Sequence, residues 1–202
     1  MEPIPTPPSN KEFDRKESTE RALESTYSDA SVGLILETAD IGIDDIKGKV
    51  LDIGSGEYQR FARDLKHFYK KDVVSIDPKL IYPSTRYNTK IVEPSFGPKS
   101  VAAIVQEMPI KSESIDTIFA TASLQLLDPV DYPYALSEIY RVLSPGGKAY
   151  ILPLFESNKA PYDEKEFFKC LESLGITYTV VEKPKPDGTF KVVTIHKPLS
   201  ST

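Results

Sequence analysis

The chain has 202 residues, of which 40% are hydrophobic and 27% charged, with a formal net charge of −5 and a sequence pI of about 5.2. That length fits one domain with a peripheral element, and no apolar run approaches the ~20 residues of a membrane helix. Net acidity argues against a broad phosphate-binding face, so nucleic acid is not an expected partner, and a single cysteine, Cys170, excludes an internal disulfide or a thiolate metal cluster.

Residues 1–10 carry Pro3, Pro5, Pro7 and Pro8 and little that packs, which predicts an extended tail. The first residues show neither a basic start with an apolar core nor an Arg-rich amphipathic pattern, so the expected location is the cytoplasm. Residues 11–46 read as a helical arm or lid, with a break over Ser28 to Ser31. The main domain is then expected over residues 47–198.

From Lys49 the pattern alternates. Val50-Leu51-Asp52-Ile53-Gly54 is a short apolar run, Tyr58–Lys71 is amphipathic, and Asp72-Val73-Val74-Ser75-Ile76-Asp77 is a second run. Strand, helix, strand at this spacing implies parallel strands joined by right-handed crossovers. The basic stretch Lys66 to Lys71 falls where that helix ends, and cations there complement the helix dipole. Residues 79–100, with three prolines, read as an irregular loop or a short helix.

Further runs are expected as strands at Val101–Val105, Ile115–Thr121 and Lys148–Leu154, the last two separated by a helix over Tyr132–Leu143 that ends in Ser-Pro-Gly-Gly. A helix over Asp163–Leu174, stopped by Gly175, leads into Ile176–Glu182 and Thr189–His196. The loop between those two runs is too short for a crossover helix, so they should pair antiparallel. The expected fold is therefore α/β, a Rossmann-like three-layer sandwich whose mixed sheet ends in an antiparallel hairpin.

The chemistry concentrates at the first turn. Gly54 and Gly56 follow an apolar strand and precede a helix, where a missing Cβ lets backbone approach a ligand and helix amides point at it. Asp77, 25 positions after Asp52 at the end of the second strand, can accept from both hydroxyls of a ribose; it is also a turn-forming residue before Pro78. Gly54-Ser55-Gly56-Glu57-Tyr58-Gln59 lacks the third glycine of a dinucleotide cradle. Asp52, an acid beside the turn, suits a cationic ligand end such as an α-amino group. His67 and His196 show no metal-ligand spacing and read as surface or structural residues, and Cys170 reads as a small buried hydrophobe.

Taken in order, these segments resemble the class I S-adenosylmethionine-dependent methyltransferases. Val50 to Gly56 looks like their first motif, Asp77 like their ribose acid, and Glu107-Met108-Pro109-Ile110 like their adenine-side loop. Ser114 to Ile118 resembles the start of their fourth strand, and Leu136-Ser137-Glu138-Ile139-Tyr140-Arg141-Val142-Leu143-Ser144-Pro145-Gly146-Gly147 their helix and turn before the fifth. The resemblance implies a seven-stranded sheet, S-adenosylmethionine as cofactor, and methyl transfer to a nucleophile by in-line displacement; the expected acceptor is a small molecule or metabolite, with the N-terminal arm as a lid. It places cofactor contacts at Asp52, Gly54, Ser55, Gly56, Asp77 and Pro78, and further along at Gln106, Glu107, Met108 and Thr121.

This sequence departs from the family pattern at Tyr58, where many members have a third glycine, and at Ile104, where many have an acid that binds the adenine amine. Those departures keep a second reading open, a non-catalytic binding or scaffold protein on the same fold. For a general base the candidates lie after the fourth and fifth strands, Ser123, Gln125 and Glu156, with Tyr27 of the arm as a residue that could close over the pocket. A nicotinamide oxidoreductase would want the third glycine and a catalytic Tyr-Lys or His, and an aminopropyl transferase an acid-rich polyamine site; neither set stands at suitable positions.

Overall fold

The computed structural model describes residues 30–56, 59–78, 99–154, 161–186 and 188–199. The sheet consists of β1 (Val50–Ile53), β2 (Val73–Ile76), β3 (Lys99–Val101), β4 (Ile115–Thr121), β5 (Leu143–Leu154), β6 (Thr177–Lys185) and β7 (Gly188–His196). Its order is β3-β2-β1-β4-β5-β7-β6, with β1 to β5 parallel and β7 antiparallel to both β5 and β6. The mixed seven-stranded sheet and its terminal hairpin are as the sequence implies.

Among the described residues, four α-helices cover the two faces: α1 (Val32–Ala39), α2 (Arg60–Tyr69), α3 (Tyr132–Val142) and α4 (Glu164–Ser173). Ser31 opens α1, its Oγ accepting from Leu34 N, which is the break expected there. On α2, Phe61, Ala62 and Leu65 are buried while Arg60 and Arg63 are exposed, and Lys66 and His67 stand in the last turn. Pro133 sits in the first turn of α3, where no amide is needed, and Tyr132, Ala135, Leu136, Ile139 and Val142 form its buried stripe. Asp163 caps α4 by accepting from Glu166 N at 3.0 Å.

One core lies between the sheet and α3 with α4; it holds Leu51, Ile53, Ile118, Leu136, Ile139, Phe167 and Ile195. The other lies under α1 and α2 and holds Val50, Phe61, Leu65, Val73, Phe119 and Tyr150. There Phe119 meets Phe61 edge-on at 4.7 Å and stacks on Tyr150 at 5.2 Å. Burying each such ring is worth roughly 1.5–3 kcal/mol. Cys170 is buried in the first core, where burial pushes its thiol up, in keeping with a structural role.

Two expected strand boundaries change. The run Val101–Val105 is not a strand: β3 is Lys99–Val101, and it stops because its partner β2 ends at Ile76, opposite Val101. The fifth strand starts not at Lys148 but at Leu143, since Leu143 pairs with Ile115 before the register shifts at Ser-Pro-Gly-Gly. Gly146 N donates to Lys197 O and Lys197 N to Gly147 O, so that turn is stitched to the chain end.

Within the expected arm, residues 30–46 pack against α2. Val32 and Ile35 are buried with Phe61 and Leu65, and Asp64 Oδ2 accepts from Val32 N at 3.3 Å. The remainder of the expected arm and tail, residues 1–29, lies outside the described residues, as do residues 79–98.

Candidate functional site

In a parallel sheet whose strand order reverses, connections leave in opposite directions on either side of the reversal, and a crevice opens outside the carboxyl ends of the strands. Here the reversal lies between β1 and β4. Asp52 stands in that position, 3% exposed, with Ser75 of β2 and Phe119 of β4 as its register neighbours.

The turn after β1 is built by glycine. Gly54 and Gly56 have φ of 70° and 65°, in the left-handed region that side chains resist. Gly54 N and Ser55 N donate to Ile76 O at 2.8 and 3.2 Å, which binds the turn to the end of β2. A Cβ on Gly54 would sit 2.4 Å from Ser123 Cβ, because the loop after β4 lies directly against the turn. Asp77 Oδ2 accepts from Gly56 N at 2.9 Å, so the second acid is held at the same turn.

Buried polar atoms without a partner are costly, about 1–3 kcal/mol each, and their clustering marks a place built for something polar. Among the described residues Asp52 Oδ2, Ser75 Oγ, Thr121 Oγ1, Ser123 Oγ and Gln125 Oε1 are such atoms. All belong to β1, β2, β4 or the loop that follows β4. Asp52 is also electrostatically primed: burial, with the nearby Asp77 carboxylate adding to it, pushes its carboxyl from 3.8 to about 7. An incoming cation would remove both penalties.

The structure brings together Asp52, Gly54, Ser55, Gly56 and Asp77 at one turn, with Ser123 against it and Thr121 one residue past the β4 position opposite Ile53. Pro78 follows Asp77 and is exposed. Gln106 and Glu107 lie on the segment leaving β3, which starts beside the second acid, since Asp77 N donates to Val101 O at 3.3 Å. Met108 lies further along the same segment. Its side chain is buried in the core, and its N–H and carbonyl are both taken, by Glu138 and Arg141. Glu107 N donates to Ile104 O, and Gln106 beside it is half-buried.

Gln125 is 2% exposed and points an unpartnered Oε1 into the protein beside this site's β4 loop. Tyr27, Tyr58 and Glu156 lie outside the described residues. Ile104 is 48% exposed. His67 ends α2 and His196 pairs with Thr179 opposite Lys148; both are at the amino edge of the sheet, away from the crevice. Among the described residues no group of His, Cys, Asp or Glu could hold a metal ion.

Sequence reasoning passed over Ser75, Gln59 and the Glu138–Arg141 pair. A serine inside the otherwise apolar Val73–Ile76 run was a signal for the first. Gln59, in the left-handed region at the start of α2, accepts from Ser100 Oγ at 2.9 Å and ties that helix to β3; nothing in its local sequence announces this.

A reversing α/β sheet, a glycine turn and a ribose-spaced acid define a Rossmann-like, nucleoside-binding protein. The methyltransferase domain family model matches residues 51–151, half of the chain, and the chain belongs to this family, the class I S-adenosylmethionine-dependent methyltransferases. A segment of 76 residues is 38% identical to Sterol 4-C-methyltransferase strm-1 of Caenorhabditis elegans, covering 38% of this chain and 22% of that protein. The chain thus spans under a quarter of that relative's length.

Among solved structures, a putative S-adenosyl-L-methionine-dependent methyltransferase of Methanococcus maripaludis superposes with a TM-score of 0.61 at 21% identity, covering 98% of this chain and 100% of that one. The Burkholderia thailandensis 1,6-didemethyltoxoflavin-N1-methyltransferase, bound to 1,6-didemethyltoxoflavin and S-adenosylhomocysteine, has a TM-score of 0.56 at 18% identity over 98% and 93% of the two chains. Such identities establish the shared fold. S-adenosylmethionine is the cofactor of the family, and the residues present fit it: an orphaned buried carboxylate oxygen for an ammonium, a second acid for a ribose, and a turn that only glycine can make.

Proposed function

We propose that this protein transfers a methyl group from S-adenosylmethionine to a small-molecule acceptor by in-line displacement. The observation that carries this reading is Asp52, a buried carboxyl with an unpartnered oxygen beside Asp77, at the point where the strand order reverses. The cofactor supplies an electrophilic methyl on a sulfonium, so the protein's task is alignment; holding reactants at near-attack distance can supply ~7–11 kcal/mol.

Asp52 would take the α-ammonium and Asp77 the ribose hydroxyls, with the Gly54 to Gly56 turn closing on the chain between them. Gln106 would face the adenine. Thr121, Ser123 and Gln125 would line the acceptor side, where an amide such as Gln125 orients a donor group on the acceptor but has no basicity to remove its proton. Small acceptors are supported by the names of two relatives, one a sterol and the other a didemethyltoxoflavin methyltransferase. A second reading, a binding protein without catalysis, is favoured by the exposed Ile104 where the family pattern has an acid.

Calorimetric titration separates them. The wild-type protein is expected to bind S-adenosylhomocysteine, and Asp77→Ala to bind it roughly tenfold or more weakly, since a hydrogen bond to a charged group is worth ~1.5–3 kcal/mol. No binding by the wild type at millimolar ligand would sink the methyltransferase reading. Binding without turnover on any small-molecule acceptor would favour the second.

A further inference from the structure

The segment between β3 and β4 is fastened by two residues of α3. Glu138 and Arg141 pair as a two-pronged ion pair, Arg141 Nε to Glu138 Oε1 at 2.6 Å and Arg141 Nη2 to Glu138 Oε2 at 2.8 Å. The Arg141 guanidinium holds the Glu138 carboxyl below its ordinary range. Together they bracket one peptide unit on each side of Met108. Glu138 Oε2 accepts from Met108 N at 3.0 Å, and Arg141 Nη2 donates to Met108 O at 3.1 Å. The other nitrogen, Nη1, donates to Ile110 O and to Ser112 Oγ, both at 2.9 Å.

At its other end the same segment leaves β3 at Val101, whose carbonyl accepts from Asp77 N. Residues 102–107 are therefore strung between the second site acid and a clamp on α3, with Glu107 N donating to Ile104 O inside the segment. A short segment fixed at both ends presents its middle residues in one place. Without the clamp, Gln106 would keep its chemistry and lose its position.

We infer that Glu138 and Arg141 are positioning residues for recognition of the adenine base, acting through Met108 to set the height of Gln106 over the crevice. This rests on the proposed S-adenosylmethionine site. Arginine is needed for the task because its planar fork meets a carboxylate and two carbonyls at once, which the single ammonium of lysine does not.

The test measures base discrimination, the ratio of the dissociation constants of S-inosylhomocysteine and S-adenosylhomocysteine, which differ only in the base edge. In the wild-type protein that ratio is expected to be roughly tenfold or more, and in Arg141→Lys and in the near-isosteric Glu138→Gln to fall to about one, as hydrogen-bond readout is lost. A merely structural role would weaken both ligands equally and leave the ratio unchanged; that result, in either variant with its circular-dichroism spectrum and melting intact, overturns the inference. A wild-type ratio near one overturns it too. Failure of the wild-type protein to bind either ligand would instead defeat the underlying cofactor reading, and the inference with it.

Discussion

Near pH ~8, Asp52→Asn is expected to melt at a higher temperature than the wild-type protein and to bind S-adenosylhomocysteine about a hundredfold more weakly. The two effects share one cause. Asp52 is buried beside Asp77, and its carboxyl is pushed from 3.8 to about 7. The native state thus holds a proton that the unfolded chain gives up at lower pH, so stability falls as pH rises from about 4 to about 7. Above that range the ligand-free protein carries a charge it would be more stable without, at a cost on the order of 3–4 kcal/mol.

Asparagine has the same shape and no charge, which predicts a gain in melting temperature on the order of 10 °C for a domain of this size. The same substitution removes the anion that an α-ammonium would meet. Binding by the wild type should tighten as pH rises through about 7, because Asp52 must be ionised to pair with a cation, and Asp52→Asn should abolish that dependence. Differential scanning calorimetry and titration calorimetry at pH values on both sides of about 7 read both effects. A variant that is less stable than the wild type above that pH, or that binds as tightly, would show that Asp52 has a partner within the fold and no ligand role.

Gly54→Ala is expected to destabilise the protein by about 2–5 kcal/mol and to eliminate cofactor binding. The Cβ would be placed at φ 70° and 2.4 Å from Ser123 Cβ, so backbone strain and a clash add. Relief has to come from the loop after β4, the loop that carries Ser123 and Gln125. The double variant Gly54→Ala with Ser123→Gly removes the clashing atom while keeping the strain, and should recover roughly 1–3 kcal/mol in a double-mutant cycle. Additive effects of the two changes in thermal unfolding would mean that the turn and the β4 loop are not in contact.

Which parts of this molecule were legible in its sequence follows from how local each cause is. The apolar run Ile115–Thr121 became β4 residue for residue, because a run buried on both faces needs no partner information to be recognised. The Gly54-Ser55-Gly56 turn and Asp77 were visible because a glycine after a strand, and an acid at a ribose-compatible spacing, are constraints written in adjacent residues. The boundary of β3 was not, since Val101–Val105 has the apolar character of a strand and lacks only a partner; pairing with β2 ends at Ile76. Nor were the partners of the Met108 backbone legible, since they come from α3, thirty residues later in the chain.

Sequence by itself determined the alternation of strands and helices, the hairpin at the end, and the residue types at the candidate site, because backbone sterics and hydrophobic period act over a few residues. Tertiary structure alone decided that the strand order reverses at Asp52, that its carboxyl is buried next to Asp77 without a partner for Oδ2, and that Glu138 with Arg141 holds the segment between β3 and β4 at Met108. Burial and desolvation are properties of what surrounds a group. In a parallel sheet those surroundings come from segments tens of residues apart, brought together by crossovers whose order the local pattern does not encode.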